Sequence, residues 1–265
     1  MPELPEVETV RRMLAPVVTG RRLLGIEHDD PARYAVAEAA AGRRVRALRR
    51  RGKYLIFALE GGLELIAHLG MSGSLRLDAG THTRARLELE GATVYFNDPR
   101  RFGRLVAVPA GDYAALPTLA RMGPEPLSRG FTANALAARL ARTARPIKPA
   151  LLSQEPVAGL GNIYADEALW KARLHPARPA NRLAPGEVRR LHRAVRAVLR
   201  RAVELGGSTL GDGVYTRPDG ETGYFQIEHA VYGRAGAACP RCGAKVARFV
   251  LGGRSTHVCP RCQRL

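Results

Sequence analysis

Two groups of residues in this chain have the types and spacing for chemistry. The first holds all four cysteines, as Cys239-Pro-Arg-Cys242 and Cys259-Pro-Arg-Cys262. Each Cys-x2-Cys pair forms a knuckle that aims two thiolates at one point, and two pairs supply the four sulfurs of a closed tetrahedral zinc site. An ion enclosed by four thiolates keeps no open coordination position, so it would be structural. His257 is a competing ligand by type, although four sulfurs already complete the shell. Two disulfides are the alternative, but they suit an oxidising compartment. The opening Pro2-Glu3-Leu4-Pro5-Glu6 is acidic where an export signal would be basic and then apolar. A cytoplasmic protein is expected.

The second group is that same opening. Initiator methionine is normally trimmed before proline, which would leave Pro2 with a free secondary amine, Glu3 beside it and Glu6 one helical turn on. An α-amino group titrates at about pH 8 and is therefore partly neutral and nucleophilic in cells. Such an amine can attack a sugar C1′ to form an iminium while an adjacent carboxylic acid protonates the opening ring. Taken alone, Glu3, Glu6 and Glu8 fit better as ordinary acids at a helix N-terminus.

The elements that must position these groups change character along the chain. Val7, Val10, Leu14 and Val17 predict an amphipathic helix beginning near Pro5. Short β runs follow at Arg43–Leu48, Tyr54–Leu59, Glu64–Leu69, Ser74–Leu77, Arg84–Glu88, Thr93–Phe96 and Gly103–Val108, separated by glycine turns. This spacing predicts a two-layer antiparallel sandwich. Helical patterns then replace strands at Phe131–Thr143, Leu160–Arg173 and Pro185–Leu205. In the last of these, Val188, Leu191, Val195, Val198, Leu199 and Ala202 form an apolar stripe. Its arginines fit a solvated face or a DNA contact equally. Between the cysteine pairs, Val246–Val250 and Ser255–Val258 read as a β-hairpin around Gly252-Gly253.

The 265 residues carry 42 Lys+Arg against 24 Asp+Glu, a formal charge of +18 that favours a polyanionic partner. Hydrophobic residues at 46% and charged residues at 25% exclude a disordered chain. No apolar run approaches the length of about 18 residues needed to span a membrane. Lysine occurs only at Lys53, Lys148, Lys171 and Lys245, so each is a candidate for work that a guanidinium cannot do.

Met1-Pro-Glu-Leu-Pro-Glu-Val-Glu-Thr9 resembles the N-terminus of the bacterial formamidopyrimidine-DNA glycosylase (8-oxoguanine DNA glycosylase/AP lyase) family. The resemblance continues through Arg51-Gly-Lys-Tyr54, His68-Leu-Gly-Met-Ser-Gly73, Asp98-Pro-Arg-Arg-Phe-Gly103 and Ile147-Lys-Pro149. It then covers Gly159-Leu-Gly-Asn-Ile-Tyr-Ala-Asp-Glu167 and the cysteine hairpin with Gly253-Arg-Ser-Thr256. His257-Val258 departs from the aromatics that many relatives place there, which touches hairpin packing.

The resemblance implies an α+β multidomain fold. Residues 1–112 would be a catalytic antiparallel β-sandwich with an N-terminal helix, 113–228 a helix–two-turn–helix domain, and 229–265 a four-cysteine zinc finger. Pro2 would be the nucleophile, Glu3 the general acid/base and Glu6 a supporting carboxylate. Lys53 and Lys148 would grip phosphates flanking the lesion, with Asn162 and Arg254 as further phosphate contacts. Met71, Arg100 and Phe102 would fill the gap left by a flipped nucleotide, and the loop near 206–224 would cover the flipped purine. The implied protein is a monomeric base-excision enzyme acting on damaged double-stranded DNA, with one structural Zn2+ and no membrane association. An endonuclease VIII-like glycosylase for oxidised pyrimidines and a non-catalytic zinc-dependent DNA-binding protein are the competing readings.

Overall fold

A computed structural model describes every residue except Asp212 and Val214, and Ala35 by its backbone alone. The chain forms two compact units, Met1–Ala120 with Val203–Gln226, and Arg121–Ala202 with Ile227–Leu265.

The first unit begins with α1 (Leu4–Val18). Glu3 caps it in a reciprocal box with Glu6, and Pro5 falls in the first turn, where a missing N–H costs nothing. Its buried stripe runs Val7, Val10, Leu14, Val18. Val18 replaces the expected Val17 because it lies four residues beyond Leu14, on the same face.

After α1 come β1 (Leu23–His28), a short α2 (Pro31–Tyr34) and a 3-10 turn over Ala35–Ala40. Seven strands follow: β2 (Val45–Arg51), β3 (Tyr54–Leu59), β4 (Leu63–His68), β5 (Ser74–Arg76), β6 (Thr83–Leu89), β7 (Ala92–Asn97) and β8 (Arg104–Pro109). They build two four-stranded sheets, ordered β1-β6-β7-β5 and β2-β3-β4-β8, with every pairing antiparallel. Leu23, Leu87, Val94 and Phe96 from one sheet and Val45, Leu55, Phe57 and Leu65 from the other share one buried core. This is the expected sandwich.

Two strands differ from expectation for identifiable reasons. β1 is an addition to the sequence reading. Its pairing with β6 shifts register between Leu23 and Gly25, which breaks the alternation that marks a strand. β2 continues through three arginines because two have carboxylate partners, Arg49 on Glu64 and Arg50 on Glu8. The unit's chain also forms α3 (Pro117–Ala120).

The second unit is helical: α4 (Ala133–Leu140), α5 (Ile147–Leu152), α6 (Asn162–Ala172) and α7 (Pro185–Glu204), whose last two residues belong to the first unit. Thr132 starts α4 later than expected by accepting the Ala135 N–H at 3.1 Å. α5 is also additional to the sequence reading. Pro149 sits in its first turn, where proline is tolerated, rather than breaking the chain. The stripe of α7 is buried as expected. Among its arginines, Arg196 reaches the carbonyls of Pro126 and Ser128, and Arg201 pairs with Glu228, so the helix face is partly an internal staple. The hairpin is β9 (Ala247–Leu251) and β10 (Arg254–Val258). No helix is long and apolar enough to cross a membrane among the described residues.

Candidate active site and nucleic-acid interface

In the first unit, Pro2 and Glu3 are buried at the start of α1, and Met1 is 36% exposed. The Glu3 N–H donates to Glu6 Oε2 at 2.8 Å, while the Glu3 carboxylate accepts from the Glu6 backbone. Glu6 Oε1 accepts the Ser208 N–H, also at 2.8 Å. The preceding Gly207 is required here: its φ is +84°, and a Cβ would lie 2.6 Å from Glu6 Oε1. Tyr215 drops into the sandwich core and donates its hydroxyl to the Gly206 carbonyl at 3.0 Å. Thr209 Oγ1 donates to the Tyr215 carbonyl and accepts the Gly223 N–H. The base of the 206–224 segment is therefore fastened to α1. Its residues Asp212 and Val214 lie outside the described residues.

Lys53 lies in the turn between β2 and β3 and is 6% exposed. Beside it, the His68 ring packs on Tyr54 at 4.6 Å between centroids, and its Nδ1 accepts the Gly70 N–H at 3.2 Å. Burial, Lys53 and Arg104 push this imidazole down to about 4. At neutral pH it is uncharged, and Nε2 carries the proton it can donate. In the sequence His68 stands out only as part of a motif; its spacing from Lys53 carries no signal until β3 and β4 pair Tyr54 with His68.

Met71, Arg100 and Phe102 are carried on two loops that one buried carboxylate joins. Asp98 is 0% exposed; its Oδ1 accepts from Ser72 Oγ at 2.6 Å and from the Arg100 N–H at 3.2 Å. Its Oδ2 accepts the Gly103 N–H at 2.6 Å. The loops approach so closely that a Cβ on Gly70 would lie 2.5 Å from the Phe102 carbonyl carbon. Phe102 is left 52% exposed, with the Arg100 guanidinium 5.0 Å from its ring centroid. An aromatic ring presented this way can replace lost base stacking, and a planar guanidinium can read a base edge. Asp98 too has no role legible in its motif, because an acid before proline gives little sign of such a junction.

In the second unit, Asn162 is the first residue of α6. Its Nδ2 donates to Ser255 Oγ at 3.2 Å, and its buried Oδ1 has no hydrogen-bond partner among the described residues. Arg254 stands exposed at the start of β10. The resemblance implied a phosphate contact for Lys148, but its side chain is turned away from solvent. It is fully buried, and its Nζ lies 2.7 Å from Asp166 Oδ1, 2.7 Å from the Ser255 carbonyl and 3.0 Å from Thr256 Oγ1. The ammonium donates to the two β10 oxygens and forms an ion pair with the carboxylate.

The four cysteine sulfurs lie within 4.8 Å of one another. Tetrahedral coordination at ordinary Zn–S length sets sulfurs about 3.8 Å apart, so the cluster fits one ion. The Cys242 and Cys259 sulfurs are 3.4 Å apart, far longer than the roughly 2.05 Å of a disulfide. His257 is engaged elsewhere, its backbone N–H and Nδ1 both directed at Asp166 Oδ2. Trp170 Nε1 donates to Cys239 Sγ at 3.4 Å, and Arg241 covers the indole at 4.1 Å. Glu167 accepts the N–H groups of Ala230, Val231 and Tyr232 at 2.8–2.9 Å, anchoring the segment that leads into the cysteine region.

A sandwich with buried carboxylates at its first helix, an exposed aromatic–guanidinium pair on joined loops, and a helical unit with a four-cysteine hairpin make up the architecture of a zinc-bearing DNA glycosylase. The formamidopyrimidine-DNA glycosylase N-terminal domain matches residues 1–105, and the H2TH domain of the same enzymes matches 122–213. A zinc finger found in FPG and IleRS matches 236–265. The chain is 59% identical over 263 residues to the formamidopyrimidine-DNA glycosylase of Thermus thermophilus, covering 99% of this chain and 98% of that protein. It is 56% identical to that of Deinococcus radiodurans, covering 100% and 98%. The crystal structure of the MutM (Fpg) protein from Thermus thermophilus superposes with a TM-score of 0.96, over 99% of this chain and 98% of that one. Lactococcus lactis Fpg in complex with an abasic site containing DNA is 37% identical with a TM-score of 0.89, covering 99% and 100%. The chain belongs to the formamidopyrimidine-DNA glycosylase family. It is a bifunctional glycosylase and AP lyase, and its four cysteines hold one structural zinc ion.

Proposed function

We propose that this enzyme removes oxidised purines, 8-oxoguanine and formamidopyrimidines, opposite cytosine in duplex DNA, and then cuts the strand by β,δ-elimination. The observation that carries the reading is the junction at α1. There Glu3 and Glu6 lie beside Pro2, and Glu6 also holds the 206–224 segment through Ser208.

Once Met1 is removed, the Pro2 nitrogen is a secondary amine that attacks C1′. The bond from C1′ to the base breaks, the base leaves with a proton, and Glu3 protonates the opening sugar ring to give an iminium on Pro2. Loss of a C2′ proton expels the 3′ phosphate, a second elimination expels the 5′ phosphate, and water releases Pro2. While Met1 remains, that nitrogen is an amide and no attack occurs. Glu6 keeps the segment expected to cover the flipped purine against this centre.

Base chemistry of this kind requires extrusion, at a few kcal/mol of lost stacking and pairing. Phe102 would wedge the stack, Arg100 would face the orphaned cytosine, and Met71 would help fill the gap. Lys53, Asn162 and Arg254 would hold phosphates around the lesion. The division into a catalytic part at 1–112, a DNA-binding part at 113–228 and a finger at 229–265 belongs to the same reading. So does a monomeric protein working on the chromosome in the bacterial cytoplasm.

The test is reductive trapping. Protein is mixed with duplex containing 8-oxoguanine opposite cytosine, borohydride is added, and a covalent complex is sought. A complex that disappears when the N-terminus is blocked is expected. No complex from the free-amine protein, or one undiminished by blocking, overturns the chemistry.

A further inference from the structure

We infer that Lys148 acts as a positioning residue rather than as a phosphate contact, and that with Asp166 it sets the hairpin geometry on which Arg254 and Asn162 depend. The inference rests on the reading of Arg254 as a phosphate contact. Its own ground is the enclosure of an ion pair whose two members are each 0% exposed.

The pair sits at the junction of three chain segments. Lys148 comes from the first turn of α5 and Asp166 from α6. The groups they hold come from β10: Nζ takes the Ser255 carbonyl and Thr256 Oγ1, and Asp166 Oδ2 takes the His257 N–H at 2.9 Å. Three consecutive β10 residues are therefore fixed immediately after Arg254. Asn162 is tied to the same strand through Ser255 Oγ. Pro149 packs against the hairpin turn, where a Cβ on Gly252 would lie 3.1 Å from its Cγ. An ammonium turned inward onto three oxygens cannot also reach a phosphate in solvent. Its removal would release the backbone beside Arg254 instead.

Electrostatics makes the two roles separable. A phosphate contact would contribute about 0.9 to the slope of log affinity against log salt, independently of Arg254. A positioning residue acts only through what it positions. Asp166 gives a contrast of sign. Removing a negative charge from a chain of charge +18 strengthens its general attraction to DNA, whereas loosening β10 weakens binding.

The experiment measures affinity for an abasic-analogue duplex across a salt series. The proteins are wild type, K148M, R254Q, K148M/R254Q, D166N and K148M/D166N, each checked for zinc content and thermal unfolding. The double replacement K148M/D166N leaves no orphaned buried charge, so it keeps the comparison usable if either single variant unfolds. We expect K148M, D166N and K148M/D166N each to weaken binding about tenfold, with K148M adding little in the R254Q background, as coupled residues do. Additive losses and a further slope change in K148M/R254Q would overturn the positioning role, as would tighter binding by D166N or by K148M/D166N. Undiminished binding by R254Q would overturn the phosphate reading of the hairpin instead, and this inference with it.

Discussion

The carboxylate of Glu6 accepts the backbone N–H of Ser208 at 2.8 Å, across 202 positions of sequence. Its other oxygen accepts from Glu3, so one buried side chain serves both the start of α1 and the start of the glycine-rich segment. Glu6→Gln replaces one acceptor oxygen with an N–H2 facing a backbone donor. Leaving such a group unsatisfied costs about 1–3 kcal/mol. Amide exchange at Ser208 should accelerate, and excision should fall more than duplex binding. Unchanged exchange at Ser208 would show that the contact does not hold the segment.

Asp98 makes the same kind of prediction for the wedge. Asp98→Asn keeps the volume but places a donor among the N–H groups of Arg100 and Gly103, again at about 1–3 kcal/mol. Base extrusion, followed with a fluorescent base opposite the lesion, should slow. If only the melting temperature changes and extrusion keeps its rate, Asp98 supports the fold without organising the wedge.

Phe102 is half-exposed, so Phe102→Ala removes little buried surface. Melting temperature should stay nearly constant and binding to undamaged duplex should change little, while excision falls steeply. Equal losses in all three measurements would mean that the ring packs in the fold instead.

Acid stability follows from groups held away from their ordinary ionisation. His68 and His229 are pushed from 6.5 down to about 4, chiefly by burial. Above pH 6.5 both are neutral, folded or unfolded, and contribute no pH dependence. As pH falls from 6.5 to 4 the unfolded chain takes up protons that the folded chain refuses, so stability drops by at most about 1.4 kcal/mol per pH unit for each. Glu8 extends the loss: burial would raise its carboxyl, but Arg11 and Arg50 outweigh that and hold it at about 2 instead of 4.5. Its stabilisation is present above pH 4.5 and disappears toward pH 2. Denaturant midpoints should fall from pH 6.5 to 3, and His68→Gln should flatten the upper part of that window. A flat profile between pH 6.5 and 4 would contradict the buried neutral imidazoles.

Zinc removal should act locally first. A chelator that strips the four thiolates should raise amide exchange along β9 and β10 and weaken duplex binding, with α7 still protected. Simultaneous loss of protection in α7 would mean that the metal holds the helical unit as a whole.

What the sequence made legible follows from how local each signal is. The cysteine pairs were readable because ligand spacing is itself the local geometry of a knuckle, and α7 because its apolar stripe repeats over about four turns of helix. β1 was hidden by its register shift at Gly25, and α5 by prolines that punctuate a chain everywhere except in a first turn. Among site residues, Pro2, Glu3 and Glu6 stood out through one contiguous motif. Asp98 and His68 gain their meaning only when distant strands and loops meet. Lys148 shows the limit most sharply, because the resemblance implied a phosphate contact while the tertiary fold turned the ammonium inward onto Asp166.

The chain contains a single tryptophan, and that residue, Trp170, rests its indole N–H on a metal-binding sulfur beneath the Arg241 guanidinium. Its fluorescence therefore originates at one spot, beside the zinc thiolates. With excitation at wavelengths the eight tyrosines do not absorb, loading, exchange or oxidation of that centre will be readable as a change in the protein's own emission, with no dye or tag.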